Sequence, residues 1–257
     1  QILINEYRIE RDLEHVANVN PQAAAPSVSF WGITLSASGG YWGYFQQSLQ
    51  LFPLLTLLFI FWAGGMMSGE FSCGTIRLLL IREPRRGRLL LCKTAALFLW
   101  IIGFAVGLFV LSGFICGLFR GFSEAGADYL YVSKDAVHAV SGFAAMGLSY
   151  LCELPRVIAY TMLAFCLSTL TRNTVLSVGI SACLLFTGDL LSSAAAAVNS
   201  DLPRYLLFSN LDLKAIRSGS TFFCGQSVGF ALLVIGIYLL LFFWIAWDSF
   251  VRRDIRE

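Results

Sequence analysis

The chain has 257 residues, 57% of them hydrophobic and 13% charged, with a mean hydropathy of +0.72 and a formal net charge of +2. Soluble domains carry roughly 25% charged residues, so these values exclude an ordinary soluble domain and point to an integral membrane protein. The apolar runs are continuous rather than alternating, which excludes an outer-membrane barrel; lipid-exposed backbone must then satisfy itself within helices, and the expected class is an all-α polytopic membrane helical bundle forming a single transmembrane domain over 1–257.

In chain order, residues 1–45 are expected to form an outer segment. It begins with Glu6, Arg8, Glu10, Arg11, Asp12 and Glu14, enough for one or two helical turns, before Pro21, Pro26 and Gly39-Gly40 interrupt any long helix. Trp31, Tyr41, Trp42, Tyr44 and Phe45 precede the first span and read as an interfacial aromatic belt, with ligand stacking as the other reading. Five stretches have the roughly 20-residue length a bilayer requires: about 50–67, 95–119, 154–171, 174–193 and 227–248.

Between the first two spans lies a segment, 68–93, with six basic residues: Arg77, Arg82, Arg85, Arg86, Arg88 and Lys93. Lys and Arg concentrate in short cytoplasmic loops. This segment also carries apolar patches, Ile76 with Leu78 to Ile81 and then Leu89 to Leu91. A solvated connector has no need of these, so the segment reads as a docking surface for a soluble partner. Glu70 has two readings. It is either an interfacial acid that caps the next helix through the charge at its N-terminus, or the anchor of the bend that presents Ile76 to Ile81.

The second span holds Gly103-x-x-x-Gly107 and Gly113-x-x-x-Gly117, a spacing that lets helices approach closely, either within the chain or between copies; internal packing is the default. The outer segment 120–153 is expected to turn moderately apolar from Ala136 to Leu151, as a helix lying on or dipping into the outer leaflet, and Pro155 suits the first turn of the third span. Thr171-Arg172-Asn173-Thr174 makes a tight hairpin to the fourth span, which carries Asp189, a candidate substrate or proton group, near its outer end. A second outer segment, 194–226, and a basic cytoplasmic tail, 249–257, complete the chain.

The expected cytoplasmic regions hold ten basic and five acidic residues, the outer ones eight basic and eleven acidic. That asymmetry puts the C-terminus in the cytoplasm of a cell-membrane protein. Five spans then leave Gln1 outside, and a further span before it is expected, with cleavage of a secretory signal as the alternative.

No phosphate-loop, HExxH or GxSxG pattern is present, and the two histidines, His15 and His138, are far apart in sequence. The expectation is a chain that is not an enzyme, with no catalytic residue, no metal site and no bound cofactor. The seven cysteines form no metal-ligand spacing; free thiols are the default, and a Cys152–Cys224 bridge is the alternative. No nucleic-acid partner is expected.

The run Gly69-Glu70-x-x-x-Gly74-Thr75-Ile76-x-Leu78-Leu79-Leu80, followed by Pro84, Arg85, Arg86, Leu89, Leu90 and Lys93, resembles the permease subunits of type-2 ABC exporters. Leu167 to Asn173 looks like that family's hairpin between its fourth and fifth helices, and Phe250 to Ile255 is similar to its usual tail. The resemblance covers roughly 50–257 and lacks the family's N-terminal amphipathic helix and first of six spans. It implies that a separate ATPase subunit, present in two copies and holding ATP and Mg, docks beneath 71–92. It also implies that two permeases pair, as a homodimer or with a close paralogue. The coupling residues would be Glu70, Gly74, Thr75, Ile76, Arg77, Leu78, Pro84, Arg85 and Arg86. Members of this lean form often export bacteriocins, lantibiotics or amphipathic peptide toxins, so a bacterial peptide exporter is expected, with self-immunity equally compatible and drugs or lipids next. The competing reading is a non-transporting scaffold or sensor whose basic segment recruits a signalling protein or anionic lipid.

Overall fold

A computed structural model describes residues 27–30, 33–36, 41–72, 86–120, 128–133, 136–198, 202–218 and 226–252. Helix dominates, as the composition requires. Helices α1 (Tyr41–Gln47) and α2 (Phe52–Ser72) are joined by a 3-10 turn at Ser48–Leu51. They are followed by α3 (Arg86–Arg120), α4 (Gly142–Thr171) and α5 (Thr174–Val198). The short α6 (Leu207–Asn210) and α7 (Leu213–Ser218) come next, and then α8 (Val228–Arg252). Five helical stretches are long and apolar enough to cross a membrane: Tyr41–Gly69, Gly87–Phe119, Gly142–Thr171, Thr174–Val198 and Val228–Phe250. Two antiparallel hairpins accompany them, β1 (Ser27–Phe30) with β2 (Ile33–Ser36) and β3 (Asp128–Ser133) with β4 (Ala136–Ser141).

Three local expectations change. Residues 136–141 pair as a strand, and the helix expected over 136–151 begins at Gly142 and continues without a break into the third span. Pro155 consequently sits inside α4 rather than in its first turn. A proline lacks the N–H that the preceding turn would use, a loss that spanning helices tolerate when neighbours satisfy the freed carbonyl. The first span also starts earlier, because α1 prolongs it through the aromatic cluster.

The chain forms two compact units, Gln1–Phe52 with Phe104–Leu151 and Pro53–Gly103 with Cys152–Glu257. In the first, rings make the core. Tyr41, Trp42 and Phe45 are buried with Cys116 and Met146, so these aromatics are core residues and not an interfacial belt. Trp31 lies outside the described residues. Phe45 meets Phe109 edge-on with centroids 5.1 Å apart, and Tyr150 meets Phe109 and Phe52 the same way at 5.1 and 5.2 Å. Such edge-to-face pairs contribute beyond the area they bury. Tyr150 also shares its hydroxyl with Ser48 and, at 2.9 Å, with Ser112. The Tyr41 hydroxyl donates to the Gly113 carbonyl at 3.1 Å. Gly113 therefore packs internally, whereas a Cβ at Gly103 or Gly107 would meet nothing within 4 Å.

In the second unit the core mixes aliphatic and aromatic side chains and is close-packed. Ile60, Ala63, Met67, Leu90, Ala159, Ala164, Phe165 and Ala246 are all fully buried in one cluster. Small residues permit the close approach of α2 to α5. A Cβ at Gly64 would lie 2.6 Å from Val178 Cγ2 and 3.0 Å from Ser177 Oγ.

Candidate functional site

The basic segment is rooted in the second unit, and the helices that carry its two ends are held by specific polar contacts. On the leading side, α2 approaches its C-terminus with Gly64 and Ser68 turned toward the α4–α5 hairpin. The Ser168 hydroxyl of α4 donates to the Gly64 carbonyl at 2.6 Å and accepts the Ser68 N–H at 3.1 Å. That hydroxyl therefore bridges one turn of α2, at the positions where helix N–H and carbonyl groups normally meet each other. Ser68 Oγ donates to the same carbonyl at 2.6 Å and lies 2.7 Å from Thr174 Oγ1, which must then be the donor of that pair. Ser177 Oγ closes the set by donating to Ala164 O at 2.9 Å. Ser68, Ser168 and Ser177 are all buried, and buried hydroxyls persist where each finds a partner. Three helices are thus fixed together at this end.

The hairpin itself is tight because two residues accept unusual roles. Arg172 adopts a left-handed backbone at φ 52°, a conformation costing about 1–2 kcal/mol for a residue with a Cβ. Asn173 Oδ1 accepts the N–H groups of Val175 at 2.9 Å and Leu176 at 3.4 Å, capping the first turn of α5.

On the trailing side, α3 is pinned in its first two turns. Leu90 and Thr94 are buried, and Thr94 Oγ1 donates to Leu90 O at 2.9 Å. Gly87 packs against the Trp247 indole of α8 so closely that a Cβ there would overlap the ring. Lys93 Nζ then reaches across to α2, donating to Met66 O at 3.0 Å with Met67 Sδ 3.5 Å away. An ammonium near a helix C-terminus meets the negative end of the dipole. The two helices bracketing the basic segment are therefore stapled at its root.

Of the residues expected to couple to a partner, Glu70 lies in the last turn of α2 and Arg86 opens α3, with the side chains of both outside the described residues. Gly74, Thr75, Ile76, Arg77, Leu78, Pro84 and Arg85 lie outside the described residues altogether. Lys93, named in the resemblance, has a described side-chain role at the root, as do the buried Leu90 and, in the hairpin, Ser168 and Asn173.

Sequence reasoning missed two features. The first is the hydroxyl set, whose members Ser68 and Ser168 are 100 positions apart; separate serines in apolar spans give no signal of their meeting. The second is ionic. Glu153 is 8% exposed within α4 and pairs with Lys214 at 2.9 Å and Arg156 at 3.7 Å, while Arg156 also reaches Asp212 at 3.7 Å. Starting the third span after Glu153 hid it, although continued apolar sequence on both sides of that residue was the available cue. Asp189 is exposed on α5, beside a Gly188 whose Cβ would lie 2.8 Å from Tyr160 Oη and 3.0 Å from Phe208. Cys152 is a free thiol, and Cys224 lies outside the described residues. Among the described residues, no group of three or more His, Cys, Asp or Glu side chains is arranged to hold a metal ion.

A bundle of membrane-spanning helices with a basic segment rooted between two of them defines a multi-pass membrane protein. The chain belongs to the family described as "Protein of unknown function (DUF2705)", whose profile matches residues 17–256. It is 31% identical over 258 residues to "Uncharacterized protein YhcI" of Bacillus subtilis (strain 168), covering 99% of this chain and 75% of that one. It is also 26% identical over 225 residues to "Uncharacterized membrane protein YdbK" of the same organism, covering 87% of each. No solved structure matches the chain.

Proposed function

We propose that this chain is the permease subunit of an ATP-driven ABC exporter, moving an amphipathic or peptide substrate out of the cell by alternating access. Hydrolysis belongs to a separate ATPase subunit, two copies of which dock beneath the basic segments of two paired permeases. On this reading the C-terminus is cytoplasmic. The observation that carries the proposal is the stapled root of the basic segment. Lys93 on Met66 O and Gly87 on Trp247 tie the segment's flanks to α2 and α8, and the Ser168 hydroxyl ties α2 to the α4–α5 hairpin. A push on the segment would reach five spanning helices, α2, α3, α4, α5 and α8, and not one loop. That is what conversion of ATPase closure into helix movement requires, and a polybasic lipid anchor has no use for it. The scaffold reading is favoured only by the charge count, six basic residues in 68–93.

The test is export by the full-length permease in its native host. Glu70→Ala, and separately Arg85→Glu with Arg86→Glu, should lower export at least tenfold while the amount of protein in the membrane stays constant. Export equal to the parent in both variants would remove the coupling assignment.

A further inference from the structure

Helix α4 carries a carboxylate in its interior, and the groups that complete it come largely from a different part of the second unit. Glu153 is buried, with Lys214 Nζ 2.9 Å from one oxygen and Arg156 3.7 Å from the other. Arg156, one turn further along α4, makes its second pair with Asp212 at 3.7 Å. Asp212 and Lys214 sit at the start of α7, where Asp212 Oδ1 also accepts the Ala215 N–H at 3.1 Å. Charges within spanning helices are costly, pair with one another, and mark function more often than packing.

The segment they hold is built to be held. Its pieces, a 3-10 turn at Leu202–Tyr205 with α6 and α7, have four, four and six residues. None is long enough to be a stable helix alone. Asn210, fully buried, ties the first turn to the second by donating to Arg204 O at 2.9 Å and Leu206 O at 2.8 Å. Apolar grip comes from Leu207 and Leu211 in the main core and from Leu213 and Ile216, against which Cys152 packs. Phe208 lies over Gly188, stacked with Tyr160 at 6.1 Å. The segment thus leans on its neighbours through apolar contacts, Tyr160 and Cys152 of α4 among them, while two ion pairs, Glu153–Lys214 and Arg156–Asp212, join it to α4 and the Glu153–Arg156 pair lies within α4.

We propose that Leu202–Ser218 is a strap locked to α4 by Glu153, and that loss of the Glu153 ion pairs releases the strap while the spanning helices stay folded. The clasp stands on these contacts alone. That the strap opens during transport rests on the exporter reading.

Hydrogen exchange read by mass spectrometry on the full-length chain in detergent separates the possibilities. Peptides of the strap and of α5 are compared in the parent, Glu153→Gln, Lys214→Met and the double variant. Strap exchange should rise at least tenfold in each single variant with α5 unchanged, and the double variant should match Glu153→Gln, since the Glu153–Lys214 pair is already gone in that single variant. The proposal is overturned if strap exchange is unchanged in both singles. It is equally overturned if strap and α5 accelerate together, which would make Glu153 a determinant of the whole fold. Strap release in a chain that exports nothing leaves the clasp standing and removes the exporter reading. Lost export in Glu153→Gln with an unchanged strap does the reverse.

Discussion

The two units solve the same problem, filling the space between apolar helices, with different emphases. The first uses bulk: Tyr41, Trp42, Phe45, Phe109 and Tyr150 make a ring cluster of edge-on, tilted and stacked contacts. The second has rings too, among them Tyr160, Phe165 and Phe250, but adds gaps in bulk bridged by hydroxyls. Gly64, Gly87 and Gly188 let helices come close, and serine and threonine hydroxyls cross the short gaps that result. Rings bury much area and tolerate small shifts of a neighbour. A hydroxyl bonded at 2.6 Å holds a defined distance and loses its partner when a helix slides. The unit that roots the basic segment therefore has exacting geometry where α2, α4 and α5 meet.

That contrast can be broken by substitutions read through reversible unfolding in mixed detergent micelles. The largest effect expected is in the ring cluster: Phe45→Ala, at 0% exposure, should cost about 4 kcal/mol through the cavity it leaves. Next is Gly64→Leu, where the first added carbon already meets Val178 at 2.6 Å; overpacking there should cost about 3 kcal/mol. An equal or smaller loss than for an exposed-position control would contradict the close approach of α2 and α5. Ser168→Ala should cost about 1.5 kcal/mol, held down because the Ser68 N–H can turn to the Gly64 carbonyl within its own helix.

The hairpin gives the smallest and most diagnostic pair. Asn173→Ala should cost about 1 kcal/mol by uncapping α5. Arg172→Gly should raise stability by about 0.5 kcal/mol, because relief of the left-handed strain slightly exceeds the entropy that glycine adds to the unfolded chain. A destabilising Arg172→Gly would mean that the arginine side chain contributes more than its backbone costs.

What the sequence made legible follows from the range of each interaction. Runs such as Thr94 to Phe119 announce a span by composition alone, and all five spans lie where the runs are. The hairpin at 171–174 was legible because its signal is local. The extent of α4 was not, since Pro155 imitates a helix start and residues 142–151 are only moderately apolar. Tyr41, Trp42 and Phe45 were misplaced because Trp and Tyr favour interfaces by preference, while burial depends on what faces them, here Cys116 and Met146. Glu153 was passed over for the same reason, as its completing partner Lys214 is contributed by a distant segment.

The central claim is that the stapled root serves a docked ATPase. The most direct measurement is purification of the full-length chain from its native host in mild detergent, followed by identification of bound proteins and assay of ATP hydrolysis. The exporter account predicts a stable complex with an ABC ATPase, one ATPase per permease, whose hydrolysis responds to amphipathic peptide and is lost from the complex in Lys93→Met as in Glu70→Ala. A chain that purifies folded with no nucleotide-binding partner, and whose basic segment instead retains anionic lipid, would contradict it.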